Sequence, residues 1–467
     1  MVETRLEKDS LGTRELPAAA LYGINTLRGI ENFPLTGRTI GSVPDLVWAM
    51  AAVKMAAARA NQEIGALPED RARAIYDACE EVQAGKHNMH LLIDVFEGSG
   101  GTSLNMNFNE VIANLASQRL GGPLGDGALV NPNDDVNLGQ STNDVAPTAL
   151  KLAVFRASEA MTANVLRLAE AFAQKKEKYA GLLRLGRTCL QDAQPMALGQ
   201  AFGGYEAVLR RHAQHLSDLR QDFLVVPLGG TAIGTGFGAR AGYKDAVFRH
   251  LSGIVGIEVK PAADPFDGMQ NLDVCARMSA ELRNTANTLW KIANDLIILS
   301  SGPLGGIGEI TLPAVQAGSS IMPGKVNPVI PMAVCQAAMA ITGNDAAIAL
   351  ACQQGLLEIN HYELLVCDRM LDSIALLTRS TAVFLDRCVR SLVGNEEQSW
   401  QNLLASSALA TALVPRLGYA KVSGIVQTAL AEHRPFLEVA VKQGLLQQEY
   451  VRSALYQAAV DPTGKTV

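Results

Sequence analysis

The chain has 467 residues, of which 48% are apolar, 18% charged and 5% aromatic, and its formal net charge is -6. This composition excludes intrinsic disorder, which requires few apolar and many charged residues. The weakly acidic balance provides no basic footprint for nucleic acid. Uncharged apolar runs all fall short of the ~20 residues of a membrane span, so we expect no membrane partner. At ~150 residues per domain, the length predicts about three domains.

The seven cysteines are scattered, without a CxxC or metal-ligand spacing. An odd, dispersed set in a long chain predicts free thiols in a reducing compartment. The first residues, MVETRLEKDSLG, are polar and lack the apolar stretch of a signal peptide. We therefore expect a cytoplasmic protein.

The pattern of apolar and turn-forming residues predicts a mainly helical chain of three domains. Residues 1–141 mix short helical patterns with Gly, Pro and Asn, and predict an N-terminal domain. The polar stretches 98–110 and 131–144 predict loops or the first turns of helices. Residues 142–393 predict a central bundle of long helices, and residues 394–467 predict a small C-terminal helical domain.

Two central helices carry apolar stripes with a repeat near 3.5 residues, which is typical of a bundle seam. The two stripes are Phe202, Tyr205, Leu209, His212, Leu216 and Leu219, and Leu282, Leu289, Ile292, Leu296 and Leu299. Such helices are expected to pack in a bundle, either within the chain or across subunits. His212 and His215 have the spacing of helix-borne metal ligands, but no third ligand is evident, so we expect no metal.

Four clusters combine glycine with small polar side chains, at 100–103, 140–143, 186–188 and 318–327. The first is expected to present backbone N–H groups and a hydroxyl to an anion. Each cluster alone is more often an ordinary helix cap or turn. Together they suggest a site for a small dianion, although their spacing does not show that they converge.

The segment GSSIMPGKVNPV at 318–329 resembles the signature of the aspartase/fumarase superfamily. The resemblance covers nearly the whole chain through LGTRELPAAALYGINTLRGIENF near the start, GTSLNMNFNEVIAN at 101–114, NPNDDVNLGQSTND at 131–144, GRTCLQDAQPMALGQ at 186–200 and LGGTAIGTG at 228–236. Within the superfamily, QSTND and NPVIP resemble the members that release ammonia from L-aspartate.

The resemblance implies a three-domain, mostly helical fold in a homotetramer whose core is a bundle of twenty helices. It implies active sites built from three subunits, and a reversible anti-elimination from a 2-substituted succinate that gives fumarate through an aci-carboxylate. The expected ligand is thus a small dicarboxylate, and no cofactor or catalytic metal is expected.

The resemblance also implies roles for individual residues. Ser319 corresponds to the catalytic base, an alkoxide that needs backbone donors and a nearby cation for its stabilisation. Removal of the C3 proton creates a doubly charged aci-carboxylate, which fixed donors must stabilise. The implied substrate-binding residues are Thr102, Ser141 and Thr142 for the β-carboxylate, Lys325 and Asn327 for the α-carboxylate, Asn143 and Thr188 for the amino group, and Cys189 and Ser320 beside them.

Departures from the family pattern leave the leaving group open. Cys189 and Met332 stand where fumarase-like members have a histidine and a glutamate that act as a pair. Hydroxide needs acid assistance to leave, whereas ammonia leaves as a neutral molecule, so the loss of the pair argues against a hydratase. His361 and Tyr362 place bulky polar groups in a segment that is aliphatic in typical members.

Three functions follow from the sequence. The first is elimination of ammonia from L-aspartate. The second is release of fumarate from another 2-substituted succinate, such as L-malate or an N-substituted aspartate. The third is a silent helical scaffold, which would not need Ser319, Lys325 and Asn327 together and is therefore disfavoured.

Overall fold

The computed structural model describes residues 3–445, 451, 455, 456 and 459, and helices dominate this part of the chain. In chain order the α-helices are α1 (Ile24–Asn32), α2 (Pro44–Glu63), α3 (Glu69–Gln83), α4 (Thr102–Arg119), α5 (Thr142–Lys178), α6 (Leu198–Asp222), α7 (Tyr243–Val255), α8 (Pro265–Gln270), α9 (Asp273–Leu299), α10 (Val329–Cys352), α11 (Glu363–Phe384), α12 (Glu396–Ala405), α13 (Ala408–Leu417), α14 (Tyr419–Ala431) and α15 (Phe436–Lys442). The prediction of a mainly α fold is confirmed.

Within the described residues, the β-structure consists of four two-stranded sheets. The strands are β1 (Thr4–Asp9), β2 (Gly12–Pro17), β3 (Leu183–Thr188), β4 (Gln191–Ala197), β5 (Val225–Val226), β6 (Lys260–Pro261), β7 (Ile310–Thr311) and β8 (Val393–Gly394). The pairs β1–β2, β3–β4 and β7–β8 are antiparallel, and β5–β6 is parallel. These short sheets fasten the segments between helices, and they build no layer of their own.

The chain divides into two compact units, and each of the five long helices contributes to both of them. Unit 1 comprises Met1–Met161, His215–Arg283 and Ala340–Leu376, and unit 2 comprises Thr162–Gln214, Asn284–Met339 and Leu377–Val467. The domain boundaries inferred from the sequence stay a prediction.

The core of unit 1 is built around α2, which packs against α3 and α7. Pro44 is tolerated at the start of α2, because the first residues of a helix need no N–H for intrahelical hydrogen bonds. The negative charge of Asp45 interacts favourably with the positive N-terminal end of the helix dipole. Almost every side chain in the alanine-rich middle of α2 is buried, because small residues allow neighbouring helices to approach closely. Lys54 is buried within this apolar run.

Buried polar side chains of α4 hold the N-terminal segment. The Glu110 carboxylate accepts hydrogen bonds from the backbone N–H groups of Gly23, Asn25 and Thr26, at 2.8 to 3.1 Å, and from the Thr26 hydroxyl at 2.6 Å. These are donors at the start of α1 that have no partner within that helix. A side chain from another helix thus caps α1.

The two predicted apolar stripes lie on α6 and α9. Phe202, Leu209 and Leu216 of α6 are fully buried, and Leu282, Leu289, Ile292, Leu296 and Leu299 of α9 are at most 6% exposed. His212 contacts the Thr288 hydroxyl at 2.9 Å through Nε2, and His215 lies 3.7 Å from the Glu281 carboxylate. Both histidines therefore have protein partners.

One face of α10 is exposed and, apart from Gln336, apolar or small along its length. At spacings of three and four residues, the face presents Met332, Gln336, Met339, Gly343, Ala346 and Leu350. By length and composition, α10 is the one helix of the described chain that is apolar enough to cross a membrane, a test that core helices of soluble proteins also pass. It contains Asp345, which is buried and accepts hydrogen bonds from Ser279 and Arg283.

Helices α12 to α15 form a small cluster in unit 2 with the apolar side of β3. Leu403, Leu409, Ile425 and Phe436 are buried there with Leu183 and Leu185. The helical tail predicted after residue 445 lies mostly outside the described residues.

Candidate active site

In unit 1, a tight turn at the start of α4 carries Thr102. Gly100 and Gly101 adopt φ values of +65° and +86°, which only glycine adopts without strain. The Glu97 carboxylate accepts hydrogen bonds at 2.5 Å from the backbone N–H groups of Ser99 and Gly101, and it also binds the Ser99 hydroxyl. Thr102 is exposed at the end of this turn.

Most of the backbone N–H groups that this turn was expected to offer to an anion are already used within the chain. The Gly101 N–H donates to Glu97, the Thr102 N–H points to the Ser99 carbonyl at 3.5 Å, and the Ser103 N–H donates to the Ser99 hydroxyl at 2.8 Å. The chain closes the turn on itself because an acidic residue lies four positions before Gly101. The exposed Thr102 hydroxyl remains available as a side-chain donor.

The N-terminus of α5 lies directly against this turn. A Cβ on Gly101 would lie 3.1 Å from both the Thr142 Cγ2 and the Ala146 Cβ. The Thr142 hydroxyl accepts a hydrogen bond from the Asn105 amide at 3.2 Å, and the Ser141 hydroxyl accepts one from the Asn143 N–H at 3.3 Å. Each hydroxyl therefore keeps its own hydrogen for a ligand. The structure thus brings Thr102, Ser141 and Thr142 into one region.

Asp144 fixes a third segment to the same region. Its carboxylate accepts hydrogen bonds from the N–H groups of Ser141, Gly229 and Thr231, at 2.9 to 3.0 Å. The Asn143 amide donates to the Ala232 carbonyl at 2.7 Å, which leaves its own oxygen free to accept from an ammonium group. Burial raises the pKa of Asp144 to about 6, although the three N–H donors oppose this shift.

A buried polar network supports these residues from behind. Lys54 donates to Asn137 and Gln140 at 3.1 and 3.0 Å, and Asn137 also accepts a hydrogen bond from Asn105, which binds Thr142. Burial lowers the pKa of Lys54 to about 7, while the nearby Asp144 charge raises it. The lysine therefore connects α2 to the start of α5.

In unit 2, the turn between β3 and β4 carries Thr188 and Cys189. Cys189 and Leu190 have φ values of +53° and +61°, the conformation of a two-residue hairpin turn that normally favours Asn and Gly. Thr188 and Cys189 are exposed at its tip. Such a strained turn is a feature often found at functional sites.

A buried ion cluster holds the β3 end of this turn. Glu309 is fully buried, and its carboxylate accepts hydrogen bonds from Arg184 at 2.7 Å, Arg187 at 2.9 Å and Asn402 at 3.2 Å. Arg187 immediately precedes Thr188. Glu309 therefore fixes the backbone just before the predicted site residue.

The loop 318–327, also in unit 2, is closed by two hydrogen bonds. The Gly318 N–H donates to the Lys325 carbonyl at 2.8 Å, and the Asn327 amide donates to the Gly318 carbonyl at 2.7 Å. The Ser319 hydroxyl oxygen accepts hydrogen bonds from the N–H groups of Ile321 and Met322, at 3.2 and 3.0 Å. This loop holds Ser319, Ser320, Lys325 and Asn327 in one short segment, with Lys325 and Ser320 exposed.

The structure therefore groups the predicted site residues in three places: the paired starts of α4 and α5, the β3–β4 turn and the loop 318–327. Sequence reasoning missed four residues that hold these places, namely Lys54, Glu97, Asp144 and Glu309. Lys54 carried a usable signal, since it interrupts an alanine-rich apolar run. Within the described residues, the His, Cys, Asp and Glu side chains form no group of three suited to a metal ion.

Comparison with known proteins identifies the family. A family model described as lyase matches residues 12–343, and one described as the C-terminus of fumarase C matches residues 409–458. An aspartate ammonia-lyase from Pseudomonas aeruginosa is 44% identical over 96% of this chain and 95% of its own length. The aspartate ammonia-lyase of Bacillus subtilis is 39% identical over 96% of this chain and 94% of its own length.

Solved structures agree with this assignment. A fumarate lyase/delta crystallin from Brucella melitensis, bound to cobalt, superposes with a TM-score of 0.94 at 44% identity over 98% of this chain and all of its own. A class II fumarase from Schistosoma mansoni gives a TM-score of 0.93 at 32% identity over 99% of this chain and all of its own. The chain belongs to the aspartase/fumarase superfamily of lyases.

Proposed function

We propose that this protein catalyses the reversible elimination of ammonia from L-aspartate to give fumarate. The observation that carries the proposal is the full-length similarity, at 37 to 44% identity, to relatives named aspartate ammonia-lyase. The Thr102, Ser141 and Thr142 hydroxyls support it, because three O–H donors on one surface suit a carboxylate.

The elimination of ammonia can be written with each proton and electron pair assigned to a group. Ser319, as an alkoxide, takes the C3 proton, and the C–H electron pair moves into the adjacent carboxylate to form the aci-carboxylate. That pair then returns to form the C2–C3 double bond while the C2–N bond breaks and ammonia leaves. The N–H donors of Ile321 and Met322 support the base assignment, since backbone donors stabilise a serine oxyanion.

Replacement of Ser319 by alanine tests the base. We expect Ser319→Ala to lower kcat by about 10²- to 10⁴-fold, the usual contribution of a positioned proton acceptor. Ser407→Ala is the matched control, because Ser407 is exposed and its side chain makes no helix-capping hydrogen bond. Full turnover by Ser319→Ala would refute the base assignment.

The leaving group is tested by following the ultraviolet absorbance of fumarate with L-aspartate, L-malate and N-substituted aspartates in parallel. We expect the highest kcat/KM with L-aspartate. A signal from another substrate without one from L-aspartate would establish the second candidate, a related lyase for a different 2-substituted succinate. The exposed Cys189, in place of a histidine, is the residue that motivates this comparison.

We also propose that the protein is a homotetramer in which three subunits contribute to each active site. The exposed face of α10 supports the proposal. Met332, Met339 and Leu350 follow one another at intervals of seven and eleven residues, which keeps them on one side of the helix as in a helix–helix seam. A cytoplasmic location is proposed on the free cysteines, which are typical of a reducing compartment.

The assembly is tested by the mass in solution. We expect the wild type to sediment at four times the 49.6 kDa of the chain. Met339→Glu is expected to dissociate it and abolish activity, whereas Leu11→Glu, at a more exposed apolar residue on a hairpin turn, is expected to change neither. A fully active monomer would refute both the tetramer and the shared active site.

A further inference from the structure

The turn that carries Thr102 offers few of the backbone donors expected of an anion site. Its N–H groups at Gly101 and Ser103 are bonded within the chain, and the Glu97 carboxylate adds negative charge beside it. A substrate carboxylate held at this turn must therefore be bound largely by side chains. The hydroxyls of Thr102, Ser141 and Thr142 are neutral donors, and none of the three can carry positive charge.

Such a donor is present at the other edge of the turn. A Cβ built on Gly100 would lie 3.3 Å from the His361 Cβ and 3.9 Å from its Cα. Two residues further on, Glu363 and Gly101 line the same small cavity of about 10 Å³. The segment 361–363 therefore runs alongside the turn, with His361 at Gly100.

The position of His361 is well fixed by its neighbours. The buried Asn360 amide donates to the Ala351 and Cys352 carbonyls at 3.0 and 3.2 Å, and its oxygen accepts from the Tyr362 N–H at 3.0 Å. The His361 and Tyr362 rings are 4.2 Å apart. These contacts hold the backbone on both sides of His361.

The imidazole nitrogens have no protein partner. Across the described chain, His361 makes no hydrogen bond or ion pair, and the residue is only partly buried. An imidazole carries at least one N–H donor and gains a positive charge when protonated. Both properties suit a carboxylate.

We propose that His361 is a substrate-binding residue that donates a hydrogen bond to the carboxylate held at the turn of Gly100, Gly101 and Thr102. This inference rests on the proposed function, because it takes a dicarboxylate as the ligand. His361 provides a further donor beside the turn, where Glu97 already accepts from the N–H groups of Ser99 and Gly101 and the Ser99 hydroxyl accepts from that of Ser103.

The test separates binding from chemistry. His361→Val removes the donor, and we expect KM for L-aspartate to rise about tenfold or more with kcat changed less than threefold, because a lost hydrogen bond to a charged group of the ground state weakens binding by this order. Succinate, which has both carboxylates but no leaving group, should lose affinity by the same factor in calorimetry. His361→Asn, which keeps an N–H donor, should recover part of both losses.

The control is His215→Val, at an exposed histidine on α6, which should leave both values unchanged. The inference is overturned if His361→Val binds succinate within twofold of the wild type. It is also overturned if kcat falls while the succinate affinity is unchanged, since His361 would then act on the transition state alone. Succinate binding needs no turnover, so failure of the wild type to convert L-aspartate would refute the proposed function without deciding this inference.

Discussion

The contact between the starts of α4 and α5 makes Gly101 a position where a single added methyl group should affect both stability and activity. Two terms add. An L-residue in the left-handed conformation costs ~1 kcal/mol relative to glycine. The added Cβ would also lie 3.1 Å from Thr142 Cγ2 and Ala146 Cβ, closer than an ordinary contact, and such overpacking costs ~1–3 kcal/mol. Gly101→Ala should therefore lower the free energy of unfolding by ~2–4 kcal/mol.

Gly121→Ala is the control for the conformational cost, so the difference between the two variants measures the overpacking cost. Gly121 follows α4 with a φ of +83°, close to the +86° of Gly101, but a Cβ there meets no atom within 4 Å. We expect this control to cost only the ~1 kcal/mol of the conformational term. Urea unfolding of the two variants should thus differ by ~1–3 kcal/mol.

We expect Gly101→Ala and Gly121→Ala to differ in activity as well as in stability. A shift of a few tenths of an ångström at Thr142 misaligns a predicted carboxylate donor, so kcat/KM for L-aspartate should fall about tenfold or more in Gly101→Ala. Gly121→Ala should keep wild-type kcat/KM, because its methyl group points into open space. Equal stability and equal activity in the two variants would refute the reasoning that the two helix starts form one rigid surface.

Two further predictions concern the buried acidic residues. Glu309→Gln leaves Arg184 and Arg187 without a counter-charge and should lower the free energy of unfolding, measured by chemical denaturation, by ~3–5 kcal/mol. The control Asp386→Asn, in an exposed ion pair, should lower it by less than ~1 kcal/mol. Equal losses in the two variants would contradict this prediction. Burial raises the pKa of Asp144 from 3.8 to about 6, so its stabilising contribution is fully present below pH 3.8 and is lost as the pH rises through 6. The difference in unfolding free energy between wild type and Asp144→Asn should fall across this window, and a flat difference would contradict the shift.

Local features of the sequence were sufficient to predict the helical class and several boundaries. The polar stretches 98–110 and 131–144 were predicted to be loops or first helical turns, and α4 and α5 begin within them at Thr102 and Thr142. The stripe of α9 is buried as its spacing predicts. Period and capping are properties of neighbouring residues, so a single sequence displays them directly.

The partners of these elements were decided by the tertiary structure. Asp144 lies in a recognisable motif, but its bonds to Gly229 and Thr231 cross more than eighty residues. The same holds for Glu309, which binds Arg187 from a segment 122 residues away. An apolar stripe can pack on any other, whereas a buried carboxylate is stable only where the fold brings its donors.

The turn at Gly100 and Gly101 shows what the local sequence and what the folded chain each determine. Its glycines and the helix start at Thr102 follow from the local sequence. The use of its N–H groups by Glu97 and Ser99 is local as well, because each acceptor lies four positions before its donor at Gly101 or Ser103. The placement of His361 beside the turn follows from the folded chain. Sequence alone therefore determined which polar groups are available at this site. Only the tertiary structure decided which side chain from a distant segment lies beside them, because that depends on distances between segments far apart in the chain.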